Sequence, residues 1–253
     1  MESFKCISEG CKFFINNDPE QDWLTHCCRE CKHTPNTHGF FCNAINIEGK
    51  PKKYNLIHPT KTGTTSLFLY FIEHYKNRVC CNLHGSVCRS HNNPVIVIRD
   101  PFARFLSMYK YWKNGASFYN EDKRERPSEF LEKYGKYTIK DFINLLKTNN
   151  TEALYNGFTW DKHYESLKYW INDTPFKKII VIKYSRNLKI KKILAGLGLK
   201  NKNIPLMKTN VSLESEEISL DDEDISFIKE RYMYDLSLYD KVINQPSLFK
   251  KVI

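Results

Sequence analysis

Hydrophobic and polar positions change their rhythm near residue 54. Beyond that point short runs of β-branched and aromatic residues alternate with longer stretches whose apolar positions recur at helical spacing, the pattern of an α/β domain. The short runs predict strands at 54–58, 79–83, 95–98 and 179–182. The last two are continuous β-branched runs, as buried parallel strands require. Helical spacing predicts helices at 65–75, 101–112, 139–146, 162–170 and 187–197. A closing helix starts at the acidic cluster Asp221, Asp222, Glu223 and Asp224 and carries Ile225, Ile228, Tyr232 and Tyr239 on one face. The expected fold is therefore α/β, with a parallel sheet flanked by helices.

Before residue 54 the pattern is different. Six of the nine cysteines lie there (Cys6, Cys11, Cys27, Cys28, Cys31 and Cys42), interleaved with His26, His33 and His38. Gly49, Pro51 and neighbouring lysines mark a linker at 50–53. Residues 1–50 thus read as a small Cys-rich N-terminal module and 51–253 as a separate α/β domain. Cys28 and Cys31 have ligand spacing, and Cys6 and Cys11 complete one candidate zinc set, with structural zinc and disulfides as equal readings.

Two segments carry the candidate chemistry. In the first, a predicted strand runs through Pro59 and Thr60 into Lys61, Thr62, Gly63, Thr64, Thr65 and Ser66, after which a helix begins. A Gly-containing turn before a helix aims backbone N–H groups at an anion, and Lys61 adds a full charge. A nucleoside-triphosphate loop needs lysine after its last glycine, whereas Lys61 precedes Gly63, so that chemistry is disfavoured. In the second segment the strand 95–98 ends at Arg99, and Asp100 and Pro101 suit the N-cap and first turn of a helix that carries Arg104 and Ser107. Arg99 and Ser107, eight residues apart, suit a phosphate at the strand's carboxyl end.

These strings resemble the two nucleotide-binding segments of the sulfotransferase family, of the carbohydrate or Golgi type, which implies a P-loop-like parallel sheet and makes 51–253 a sulfotransferase-like nucleotide-binding domain. Lys61 to Ser66 resemble its 5′-phosphosulfate loop, although Thr60 stands where the family usually has proline directly before the lysine. Arg99 and Ser107 resemble the pair that binds the 3′-phosphate, and the resemblance leaves Arg104 a structural role with a nearby acid. Weaker similarity lies in Trp160, Asp161, Lys162, His163 and Tyr164, in the strand ending at Tyr184, and in Tyr232, Asp235, Leu236 and Tyr239. The resemblance implies transfer of a sulfuryl group from 3′-phosphoadenosine-5′-phosphosulfate to an acceptor hydroxyl or amine on a carbohydrate, with adenosine 3′,5′-bisphosphate as product. Lys61 would neutralise the leaving phosphate, and His84, in a Leu-His-Gly string similar to that of uronyl 2-O-sulfotransferases, would be the base. His91, His163 and Glu73 are the alternative bases.

Charge and hydropathy change this picture little. The net charge of +10, from 39 Lys and Arg against 29 Asp and Glu, suits an anionic acceptor, but the lysines are scattered. A nucleic-acid-binding protein with an N-terminal zinc module, or a non-catalytic member that only binds the nucleotide, are the competing functions. No run of about 18 apolar residues occurs, and the N-terminus lacks a signal-like apolar core, which reads as a soluble chain.

Overall fold

The computed structural model describes residues 53–75, 78–83, 93–113, 132–154, 161–171, 174–185, 188–206 and 218–253. The Cys-rich segment 1–50, with Cys6, Cys11, Cys28 and Cys31, lies outside them, as do His84 and His91.

Five strands form one parallel sheet: β1 (Tyr54–His58), β2 (Val79–Leu83), β3 (Pro94–Ile98), β4 (Ile180–Lys183) and β5 (Lys251–Val252), in the order β2-β1-β3-β4-β5. All four predicted strands are present. The edge strand β5 is additional, since two residues are too few to show a period. The helices are α1 (Thr64–Tyr75), α2 (Pro101–Lys113), α3 (Ile139–Lys147), α4 (Thr151–Leu154), α5 (Leu167–Ile171), α6 (Ile190–Leu197), α7 (Asp222–Arg231) and α8 (Met233–Asn244).

Strand side chains alternate between two apolar layers, which is why these strands read as unbroken apolar runs. Leu56, Val95, Val97 and Ile182 pack with α1 and α6 on one face. Ile57, Ile96, Ile98 and Val181 pack with α5 and α8 on the other. A third cluster joins α2, α3, α4 and α7 around Phe105, Trp112, Phe142 and Ile228 beside the sheet.

Two predicted helices are broken. The stretch 162–170 is a 3-10 turn (Asp161–Tyr164) followed by α5, because Ser166 and the Leu167 N–H turn to the Asp235 carboxylate instead of continuing the helix. The closing helix divides at Tyr232, whose φ of −111° and ψ of 28° leave the helical region. Tyr232 is fully buried and its hydroxyl donates to the Tyr164 carbonyl at 2.9 Å, so tertiary packing sets the break. The predicted acidic start is correct. Asp221 caps α7 through the Asp224 N–H at 2.9 Å in a reciprocal capping box.

Because the sheet is parallel, β1, β3 and β4 end on one edge, where the chain enters the 59–63 loop, Arg99 and Tyr184 in turn. From β1 the chain leaves toward β2, and from β3 toward β4, so the strand order reverses between β1 and β3. A crevice at such a reversal is the expected ligand position in an open α/β sheet.

Candidate functional site

The loop after β1 is held from inside. The Thr62 and Thr64 side chains are buried, and their hydroxyls both donate to the Pro59 carbonyl, at 3.0 and 3.2 Å. Their hydroxyls are thus engaged inside the loop, which leaves only their backbone N–H groups to face a ligand. Lys61 (φ 58°) and Gly63 (φ 80°) take left-handed conformations ahead of α1, the backbone pattern from which anion-binding concavities are built. Gly63 is required twice over: a Cβ there would lie 2.2 Å from the Tyr184 ring. Thr65, in the first turn of α1, shares a hydrogen bond of 3.3 Å with Nε2 of His58, which is buried at the end of β1 and stacks on Phe68. Ser66 follows in the same turn and is half-buried.

Arg99 reaches this loop from β3. Its Nη1 donates to the Lys61 carbonyl at 3.4 Å, and its guanidinium lies 5.0 Å from the centre of the Tyr184 ring. Tyr184 thus covers Gly63 and faces Arg99, joining the ends of β1, β3 and β4. The expected N-cap of α2 is present, with the Ala103 N–H donating to Asp100 Oδ1 at 2.8 Å.

Along α2, residues 104, 107 and 111 recur at three and four positions and so share one face. Arg104 Nε donates to the Thr60 carbonyl at 3.0 Å, its Nη2 to the Glu165 carbonyl at 2.8 Å, and its Nη1 to Asp235 at 2.7 Å. Both ionic side chains are 1% exposed, and the structural role expected of Arg104 is thereby given its acid. Two turns on, the Tyr111 ring lies under the Lys61 ammonium, 4.1 Å from ring centre to Nζ. Ser107, half-buried, stands between these residues on the face turned to the loop.

Lys61 is electrostatically primed for an anion. Burial, and then the charge of Arg99, push its ammonium down to about 8 from the ordinary lysine value of 10.5. A bound dianion would reverse both effects, since it offsets the two positive charges at once.

The alternative bases separate by position. Glu73 lies in the last turn of α1, exposed and paired with His74 at 3.6 Å, roughly 14 Å along the helix from the loop at 1.5 Å per residue. His163 is close but 2% exposed, its ring stacked on Tyr111 at 5.5 Å. That placement suits support of the ring more than contact with an acceptor. β2 ends at Leu83, opposite His58 in register, so the strand that precedes His84 finishes on the edge carrying the loop.

Sequence reasoning missed Tyr111, Tyr184 and the anchoring role of Thr60. Tyr111 reads as one more aromatic on an aromatic helix. The anomaly at Thr60, where proline is usual, was the one available signal. Its hydroxyl donates to the His163 carbonyl at 2.8 Å, a bond proline lacks. Among the described residues no cluster of His, Cys, Asp or Glu could hold a metal ion, and no helix is long and apolar enough to cross a membrane.

No curated protein and no solved structure matches the chain. A family model described as the sulfotransferase family matches residues 21–241, a range that includes the loop, Arg99, Ser107 and all helices from α1 to α7. With the loop after β1 and Arg99 meeting at the carboxyl edge of a parallel sheet, the chain belongs to the sulfotransferase family.

Proposed function

We propose that the protein transfers a sulfuryl group from 3′-phosphoadenosine-5′-phosphosulfate to a hydroxyl or amine of a carbohydrate acceptor. The observation that carries this reading is the convergence of Lys61 and Arg99 on one left-handed loop at the start of α1. Family membership supports sulfotransfer; the donor and the acceptor class are this reading's own.

The donor fits the residues present. The 59–63 loop and the amide end of α1 would take its 5′-phosphosulfate, with Lys61 as counter-charge. Arg99 and Ser107 would take its 3′-phosphate. When bound, the donor supplies a sulfur centre with a phosphate leaving group. The acceptor oxygen or nitrogen forms the new bond to sulfur as the bond to the bridging phosphate oxygen breaks, and the acceptor proton passes to a base. Lys61 stabilises the charge that grows on the leaving oxygen, and a fixed cation there needs no reorganisation during the reaction. His84, the residue that follows β2 in sequence, is proposed as the base. The net charge of +10 favours an acidic glycan as acceptor.

The test is calorimetric titration with adenosine 3′,5′-bisphosphate against adenosine 5′-monophosphate, followed by labelled-sulfate transfer to a panel of glycans. The expected result is binding that depends on the 3′-phosphate and is lost selectively in Arg99→Ala. His84→Ala should bind the nucleotide and fail to turn over. Folded protein that ignores both nucleotides would overturn the donor assignment. Nucleotide binding without transfer to any acceptor would point to a non-catalytic member.

A further inference from the structure

Lysine carries its charge on four flexible bonds, so a catalytic lysine must be held if its ammonium is to meet the leaving oxygen at each turnover. In this protein the hold is aromatic. The Lys61 ammonium stands 4.1 Å above the Tyr111 ring centre, and the His163 imidazole lies nearly parallel to that ring, 5.5 Å away at 12°. The stack is closed through the backbone, since the Thr60 hydroxyl donates to the His163 carbonyl at 2.8 Å and Thr60 is the residue before Lys61. The face of α2 that fixes the loop's main chain through Arg104 and the Thr60 carbonyl also meets the Lys61 side chain through Tyr111.

We infer that Tyr111 is a positioning residue, whose π face, steadied by His163, holds the Lys61 ammonium in place at the donor loop. The pairing stands on its own geometry, and its effect on transfer rests on the donor-site reading given above. The titratable groups gathered around Lys61 in the described residues are Arg99 from the end of β3, Tyr111 from α2 and His163 from the 3-10 turn. Arg99 disfavours the ammonium. The ring offsets that repulsion, because a cation over an aromatic face is stabilised when desolvated.

Three full-length variants test this: Tyr111→Phe, which keeps the π face, and Tyr111→Leu and Tyr111→Met, which remove it at similar bulk. Acetic anhydride labelling across a pH series, read by peptide mass spectrometry, gives the Lys61 midpoint whether or not the protein transfers sulfate. Loss of the ring destabilises the charged form, so the midpoint should fall in Leu and Met by about half to one pH unit and stay in place in Phe. In parallel, kcat/KM should fall about tenfold in Leu and Met and be largely kept in Phe. The Met variant decides the matter if the Leu variant does not fold. An unchanged Lys61 midpoint in the folded non-aromatic variants would overturn the inference, as would a Phe variant that behaves like them. If wild-type protein neither binds adenosine 3′,5′-bisphosphate nor transfers sulfate, the donor reading fails, while the labelling midpoints still decide the pairing.

Discussion

Lys61 illustrates how one residue can set the pH behaviour of a site. Its folded value of about 8 lies below the unfolded value near 10.5, so between these limits the unfolded chain binds the extra proton. Stability therefore rises with pH across this window, and below it the charged lysine is a burden on the fold. Lys61→Met should be more stable than wild type at pH 7, with the gap closing toward pH 10.5 in urea denaturation series. Nucleotide affinity should run the other way, weakening as pH rises through about 8, with Lys61→Arg flattening the trend in calorimetry. Gly63 is the complementary case, where shape decides. Gly63→Ala must adopt a left-handed backbone and displace the Tyr184 ring, and should lose about 1–3 kcal/mol of stability together with adenosine 3′,5′-bisphosphate binding. Gly63, Lys61, Arg99 and Ser107 stand out in the sequence because they sit in local strings. Tyr111 and Tyr184 do not, since their roles exist only after distant segments meet.

Among the elements, those governed by local rules were legible. β1 and β2 match their expected ranges, and α1, α2 and α3 differ by a residue at an end. Their signals are short-range: β-branched runs, helical spacing and the Asp100 cap. The structure adds a capping box at the start of α3, in which Thr138 N–H donates to Asp141 Oδ2 at 2.7 Å. A cap of this kind is separable from the site. Thr138→Ala should cost about 1 kcal/mol in chemical denaturation while leaving nucleotide affinity as in wild type. The elements that differed from expectation are those whose ends answer to remote partners. Asp235 ends the 3-10 turn before α5, and burial of Tyr232 against Phe105 divides α7 from α8. Helical periodicity continues across both breaks because the buried face is continuous even where the backbone is not.

At the scale of the whole molecule, one buried ion pair joins the 59–63 loop to α8. Arg104 and Asp235 are separated by 131 residues and are both buried, with Ser166 and the Leu167 N–H completing the carboxylate's bonds. Arg104→Ala would leave a buried carboxylate without its cation, and should destabilise the protein by about 3–5 kcal/mol. The paired change Arg104→Met with Asp235→Leu should recover much of that loss in urea denaturation. It should not restore nucleotide binding, because the Thr60 carbonyl remains without its clamp. Sequence suggested an acid for Arg104 but could not say that the same guanidinium holds Thr60, since that contact has no local signature. The arrangement also orders events during synthesis. While residue 235 is still to be made, Arg104 has no carboxylate to draw it inward, and the Thr60 carbonyl lacks a fixed guanidinium to hold it. A nascent chain consequently completes the 59–63 loop late, once α8 has docked. On the donor reading proposed above, nucleotide affinity would then serve as a report that α8 is in place.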